Sequence, residues 1–172
     1  SGPILTEGIR NWGFEVVDSV VVPDGEPVSE AIRQAISDEV DLVLTSGGTG
    51  LTPMDHTPEM TLRHVTRLVP GIAEALRLDA RDHGITSGAL SRAVAGVAGK
   101  TLIINIAGSP GMGNLLARTK TELWSQEYAR HRVDSPNGLL GNNAADRSYF
   151  LSHHQESIAN LNHSSTTEQG TK

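Results

Sequence analysis

The chain has 172 residues, of which 37% are hydrophobic and 20% are charged, a composition that supports one packed domain and excludes wholesale disorder. Fourteen basic and twenty acidic side chains give a net charge of −6, which argues against nucleic acid as a partner. The absence of cysteine excludes disulfides, thiolate metal sites and a cysteine nucleophile, and no apolar run approaches the roughly 20 residues of a membrane span. Since no signal peptide opens the chain, we expect a cytoplasmic protein without a membrane partner.

Helices and strands are predicted to alternate along the first 110 residues. Apolar residues at helical spacing predict a helix over 3–12 that Gly13 ends, and the β-branched run at 14–22 predicts a strand. The further predicted elements are a helix over 28–38, a buried strand at 41–45, a helix that begins after an N-cap at Thr57, a helix over about 71–80 and a buried strand at 101–106. This alternation predicts an α/β fold with three layers, in which helices cover both faces of a doubly wound, mostly parallel sheet.

The composition changes towards the C-terminus. Residues 131–172 contain four of the seven histidines and five asparagines, with few valines or isoleucines. Such a polar stretch is typical of a weakly structured segment. We therefore divide the chain into a domain over 1–115 and a divergent C-terminal segment over 116–172, which we expect to form one helix followed by a mobile polar tail.

A Gly-rich turn follows the buried strand at 41–45, at the end of the strand where parallel α/β sheets bind ligands. Its glycines allow the backbone to adopt positive φ and to direct N–H groups to one point, which makes a phosphate-binding nest. The two hydroxyls of the turn would add donors. The pattern is neither the P-loop nor the dinucleotide fingerprint, and a tight turn without a ligand explains it equally well. The residues of the turn are Ser46, Gly47, Gly48, Thr49 and Gly50.

Two acidic residues are candidates for the same site. Asp55 lies five residues after Gly50 and just before Thr57, at the mouth of the turn. A carboxylate beside bound phosphate requires a cation between them, and magnesium is the usual one. The alternative role for Asp55 is to cap the following helix. Asp24 lies just after the strand at 14–22 in a Pro-Asp-Gly sequence, which is also a common turn.

Two serines are weaker candidates. The Ser91-Arg92 pair would offer a hydroxyl and a guanidinium to an anionic substrate, although a lone pair of this kind is usually part of the surface. Ser109 lies in the turn after the strand at 101–106, again at the carboxyl end of a strand, where an ordinary turn hydroxyl is the alternative.

Several sequence blocks occur in a fixed order between residues 1 and 111. They are Ser1-Gly2-Pro3, Val22-Pro23-Asp24, the run 41–50, Thr52-Pro53-Met54-Asp55-His56-Thr57-Pro58-Glu59, Val69-Pro70-Gly71-Ile72, Leu90-Ser91-Arg92, the run 101–105 and Gly108-Ser109-Pro110. One block would be weak evidence, but this many in this order resemble the MogA/MoaB family of molybdenum cofactor biosynthesis, which includes the G domain of gephyrin. The competence-damage family shares the fold and a Gly-rich turn, but its turn lacks the Gly-Gly-Thr-Gly form found here.

The resemblance implies a molybdopterin adenylyltransferase. Such an enzyme transfers AMP from ATP to the terminal phosphate of molybdopterin and releases pyrophosphate, with magnesium as the metal. The resemblance implies that the four residues of 47–50 cradle phosphate and that Asp24 and Asp55 are the functional acids that hold magnesium. It further implies that the molybdopterin pocket is lined by Ser91, Gly108, Ser109 and Pro110. It also implies a homotrimer or homohexamer.

Three departures from the family pattern leave a second class of function open. The family has a further strand and a Ser-Asp loop before the block that matches Ser1-Gly2-Pro3, so we expect the sheet to lack this N-terminal strand and to contain a gap. Met54 stands where the family usually has arginine, and the match ends after Pro110. The alternative function is a non-catalytic molybdopterin- or nucleotide-binding protein of the same fold, similar to MoaB or to the competence-damage proteins.

Overall fold

Helices and strands alternate along the described part of the chain, as the sequence predicts. The computed structural model describes residues 2–11, 14–108 and 147–152, with 2–4 and 147–152 as backbone only. The elements are α1 Gly2–Asn11, β1 Glu15–Val21, α2 Glu26–Ser37, β2 Leu42–Ser46, α3 Thr57–Leu62, β3 Arg67–Leu68, α4 Pro70–Asp82, the 3-10 helix Thr86–Leu90, β4 Ala95–Ala98, β5 Thr101–Ile106 and β6 Arg147–Ser152. The predicted strands at 14–22, 41–45 and 101–106 thus correspond to β1, β2 and β5.

The described strands form one sheet in the order β1-β6-β2-β5-β4-β3. The pairs β1–β6, β6–β2 and β2–β5 are parallel, whereas β4 runs antiparallel to both β5 and β3. The mostly parallel sheet is therefore confirmed. The four parallel strands end at one edge of the sheet, where Ser46 is in register with both Ile106 and Ser152.

Strand β6 is the main difference from the expectation. It belongs to the stretch for which the composition predicts a mobile polar tail, yet it pairs along its length with β1 and β2. The expectation is therefore wrong for residues 147–152, because the polar average over 42 residues hides the short run Tyr149-Phe150-Leu151. The gap expected from a missing strand is also absent between β1 and β2, since β6 occupies that position. The helix expected in the segment 116–172 lies outside the described residues.

The core lies on both faces of this sheet. On one face Leu5 of α1 and Leu76 of α4 pack in the same apolar cluster as Leu44 of β2. On the opposite face Ile32 of α2 packs in a cluster with Val43, the neighbour of Leu44 along β2. Successive residues of a strand point to opposite faces of the sheet. Strand β2 has apolar residues on both faces because helices cover the sheet on both sides. Each of these fully buried side chains contributes about 1.5–3 kcal/mol of transfer free energy.

Within the part of the chain that the structure describes, every helix is too short or too polar to cross a bilayer.

Candidate functional site

The Gly-rich turn leaves the carboxyl end of β2 in a left-handed conformation. Gly47 has a φ of 105° and Gly48 a φ of 63°, so the positive φ expected from the sequence is confirmed at these two positions. The Gly47 N–H donates to the carbonyl of Ile106 at 2.9 Å, which continues the pairing between β2 and β5. The Gly48 carbonyl accepts the N–H of Thr57 at 3.0 Å, so the turn is fastened to the start of α3.

Asp24 lies against this turn. A Cβ atom built at Gly48 would lie 2.2 Å from the Oδ1 of Asp24 and 2.2 Å from the Oγ1 of Thr57. The Thr57 hydroxyl donates to the Asp24 Oδ1 over 3.4 Å. Helix α3 begins at Thr57, and the N-cap position belongs to His56. The sequence-based assignment of the cap was wrong by one residue, because the hydroxyl finds its partner in Asp24.

Asp55 lies against Gly50, two residues further along the turn, and is only 8% exposed. Its Oδ2 accepts the Thr52 N–H at 2.8 Å and the Thr52 hydroxyl at 2.6 Å. A Cβ atom at Gly50 would lie 2.9 Å from the same oxygen. Burial acts to raise the pKa of Asp55, but the hydrogen bonds from Thr52 and from the Gly50 backbone, with the charge of Arg92, bring it below its ordinary value. Asp55 is therefore ionised at neutral pH.

The hydrogen bonds of Asp55 decide part of the capping question. Those of its carboxylate run to Thr52 and to the Gly50 backbone, both upstream of Asp55. The N-cap of α3 is His56, which makes no side-chain capping bond. Asp55 thus orders the loop between the Gly-rich turn and α3, and its stabilising role is in the loop rather than at the helix terminus.

Ser91 and Arg92 reach the turn from a distant part of the chain. The Ser91 hydroxyl donates to the Thr49 Oγ1 at 3.3 Å, and the Arg92 backbone N–H donates to the Thr49 carbonyl at 2.8 Å. The side chain of Arg92 is directed at the protein: its Nε donates to the Gly50 carbonyl at 2.7 Å. The structure therefore brings the predicted Ser91 to the site and gives Arg92 contacts that the sequence did not predict.

The turn after β5 touches the turn after β2. A Cβ atom at Gly108 would lie 3.0 Å from the Cα of Gly47, so the two turns approach closely. Ser109 and Pro110, which the sequence also predicts in the site, lie outside the described residues.

Comparison with known proteins identifies the family of the chain. A family model described as "Probable molybdopterin binding domain" matches residues 1–119. The chain belongs to this family. The resemblance to MogA and MoaB is thereby confirmed, and the doubly wound fold is that of the solved relatives.

Three relatives of this family illustrate the similarity. The "Molybdenum cofactor biosynthesis protein B" of Escherichia coli strain K12 is 41% identical over 111 residues, which cover 63% of this chain and 65% of that protein. A "Molybdopterin adenylyltransferase" of Haemophilus influenzae is 36% identical over 96 residues, or 55% of this chain and 48% of that enzyme. The structure of the molybdopterin biosynthesis Mog protein from Mycobacterium ulcerans superimposes with a TM-score of 0.71 and 40% identity, covering 75% and 84% of the two chains. The chain thus spans just under two thirds of the length of the E. coli relative.

Sequence analysis did not identify two residues of this chain that support the site. Thr52 holds the carboxylate of Asp55, and Glu59 forms an ion pair with Arg92. A threonine three residues before an aspartate is a local side-chain motif, so Thr52 carried a signal in the sequence. The pairing of Arg92 with Glu59, 33 residues apart, carried none.

The carboxylates of Asp24 and Asp55 determine which metal ion the site would bind. In the described ranges, no three His, Asp or Glu side chains converge on one point. Magnesium is commonly held by one or two carboxylates together with substrate phosphates and water, so two acids are a sufficient protein contribution. The ionised carboxylate of Asp55 has lone pairs beyond those that Thr52 uses, and the donor set is therefore compatible with that metal.

Proposed function

We propose that the chain is a molybdopterin adenylyltransferase, which transfers AMP from ATP to molybdopterin. The observation that carries this proposal is that two carboxylates lie against glycines of the same Gly-rich turn, two residues apart. The carboxylate of Asp24 lies against Gly48, and the carboxylate of Asp55 lies against Gly50. In the reaction an oxygen of the terminal phosphate of molybdopterin forms a bond to the α-phosphorus of ATP. The bond to the bridging oxygen between the α- and β-phosphates breaks, and pyrophosphate leaves.

The turn over 46–50 provides the phosphate site of this proposal. Its left-handed glycines let backbone amides approach phosphate oxygens without a Cβ in the way. Ser91 and Gly108, both in contact with the turn, would line the adjoining molybdopterin pocket with Ser109 and Pro110. The phosphate that attacks and the phosphate that is attacked would then bind side by side at one sheet edge, which supplies the alignment that phosphoryl chemistry requires.

Asp24 and Asp55 would hold magnesium between them and the phosphates. The metal, when bound, neutralises negative charge on the reacting phosphates. The low pKa of Asp55 keeps its carboxylate charged at neutral pH, and Thr52 fixes its orientation. No side chain of the protein needs to act as a nucleophile, because phosphoryl-type transfer depends on positioning and on charge stabilisation.

A second candidate is a protein that binds molybdopterin or a nucleotide without turning it over. One observation favours it: Met54, which replaces the arginine usual in the family, is 69% exposed beside the site and offers no positive charge to a phosphate. The strongly bonded carboxylate of Asp55 would in this case serve only to shape the loop.

The test is a reaction of the purified full chain with ATP, molybdopterin and magnesium. We expect pyrophosphate and adenylylated molybdopterin in equal amounts, and neither product when the magnesium is removed with a chelator. Molybdopterin binding measured by calorimetry without formation of pyrophosphate would contradict the enzyme and support the binding protein.

We also propose a homotrimer or homohexamer, as the family resemblance implies. Sedimentation equilibrium of the full chain measures this directly, and a monomer at micromolar concentration would contradict it.

A further inference from the structure

Arg92 joins three separate parts of the candidate site. It lies two residues after the 3-10 helix Thr86–Leu90, and yet all three nitrogens of its guanidinium bind residues between 50 and 59. Nε donates to the carbonyl of Gly50, Nη2 donates to the carbonyl of Asp55, and Nη1 pairs with the carboxylate of Glu59. One side chain thus connects the end of the Gly-rich turn, the loop that carries Asp55 and the first turn of α3.

The main chain of Arg92 adds a further contact to the same turn. Its N–H donates to the carbonyl of Thr49 at 2.8 Å, directly before the Gly50 carbonyl that the side chain binds at 2.7 Å. The carbonyl oxygens of two successive peptide units are therefore turned toward Arg92. Because the C=O and N–H of a trans peptide point in opposite directions, the N–H groups of Gly50 and Leu51 are directed away from Arg92.

The orientation of the Gly50 amide has a consequence for Asp55. The carboxylate of Asp55 lies against the Gly50 backbone, since a Cβ atom at Gly50 would lie 2.9 Å from its Oδ2. Arg92 fixes the same peptide unit from the other side, through the Thr49 carbonyl. Arg92 therefore holds the backbone against which the Asp55 carboxylate lies.

We propose that Arg92 is a positioning residue, which holds the loop 50–55 so that the Gly-rich turn and Asp55 face one bound phosphate chain. The proposal rests on the adenylyltransferase function, because that function supplies the phosphate chain that the loop faces. It replaces the simpler idea that Ser91-Arg92 offers a guanidinium to an anionic substrate, because each nitrogen of that guanidinium already binds the protein. Only a planar fork of five donors satisfies these acceptors, and lysine has no such fork.

The test compares Arg92→Lys with Arg63→Lys in the full chain. Arg63 forms a comparable surface ion pair with Glu26 but binds no part of the loop 50–55, so it is the matched control. The first measurement is amide hydrogen exchange in the ligand-free protein. We expect exchange of the amides between 50 and 56 to rise roughly tenfold or more in Arg92→Lys, with the strands unchanged.

The second measurement is steady-state kinetics. We expect the KM for ATP to rise roughly tenfold in Arg92→Lys while the KM for molybdopterin changes less than about twofold. A loss of folded protein would lower the rate without moving either KM, so this separation is specific to a loosened phosphate site. Arg63→Lys should behave as the wild type in both measurements.

Each outcome decides one of the two proposals. Wild-type exchange of the loop in Arg92→Lys would overturn the positioning role, and so would a rise spread evenly over the whole sheet. If the wild type makes no adenylylated molybdopterin, the proposed function fails, while loop exchange still decides the role of Arg92. If Arg92→Lys does not fold, Glu59→Ala removes only the acceptor of the Arg92 Nη1 hydrogen bond, and a rise in exchange confined to the same loop is then required.

Discussion

A Cβ atom at Gly48 would lie 2.2 Å from the Oδ1 of Asp24, closer than any real Cβ approaches an oxygen. Gly48 also has a φ of 63°, a conformation that L-residues rarely adopt. Two independent constraints therefore require glycine at the point where the Gly-rich turn and Asp24 meet.

The first prediction concerns Gly48→Ala. We expect it to lower the free energy of unfolding by at least about 2 kcal/mol, because a left-handed conformation costs an L-residue roughly 1–2 kcal/mol and the clash with Asp24 adds to this. Gly84→Ala is the matched control, since Gly84 has a φ of 74° and open space around its Cβ position. Urea denaturation of both variants isolates the clash, and equal losses of stability would show that Asp24 does not confine Gly48.

The second prediction concerns the charge of Asp55. We expect Asp55→Asn to reduce adenylyl transfer roughly a hundredfold or more, equivalent to about 3 kcal/mol of transition-state stabilisation, while molybdopterin affinity changes little. Asp24→Asn should behave in the same way if both acids hold the metal. Thr52→Ala removes a hydrogen bond to Asp55 but keeps the carboxylate, so it controls for loop order. A thermal stability loss with normal turnover in Asp55→Asn would assign a purely structural role.

The third prediction follows from the lowered pKa of Asp55. A carboxyl group with a depressed pKa in the folded state stabilises the protein above its unfolded pKa, and the contribution is lost as the pH falls through the folded value. Because the ordinary pKa is 3.8, we expect this stabilisation to be lost at pH values below about 4. We expect the Tm of the wild type to drop more steeply than that of Asp55→Asn as the pH falls below about 4, as measured by calorimetry at several pH values. Parallel curves would contradict the shift.

The sequence predicts the elements whose local pattern and tertiary environment agree. The runs that became Leu42–Ser46 and Thr101–Ile106 are apolar and rich in β-branched or leucine residues, and both are fully buried central strands. The Gly-rich turn was predictable because its conformation requires glycine. Strand β4, Ala95–Ala98, was not, because Ala-Gly-Val-Ala has little intrinsic preference for a strand and pairs only through its neighbours β5 and β3.

The sequence indicated which residues lie near the Gly-rich turn better than it indicated their contacts. Asp24, Asp55, Ser91 and Gly108 all lie against the turn, as the sequence indicated. The partner of each side chain depends on distances across the fold, which no local pattern contains. Thr57 was expected to cap α3 and instead donates to Asp24, 33 residues away.

The last prediction concerns strand β6. A chain that ends at residue 146 lacks the strand between β1 and β2, and this leaves two rows of backbone N–H and C=O groups without their partners inside the sheet. Each buried polar group left unpaired costs about 1–3 kcal/mol, and a native domain has only about 5–15 kcal/mol of stability, so we expect this truncation to abolish cooperative folding. A chain that ends at Ser152 keeps β6 and is the matched control, and we expect it to melt within a few degrees of the full chain. Circular dichroism melting curves of the three chains make the comparison. A chain ending at 146 that melts like the full protein would show that β6 contributes nothing to the sheet. A chain ending at Ser152 that fails to fold would instead place an essential element after it, against the expectation that the final residues are dispensable.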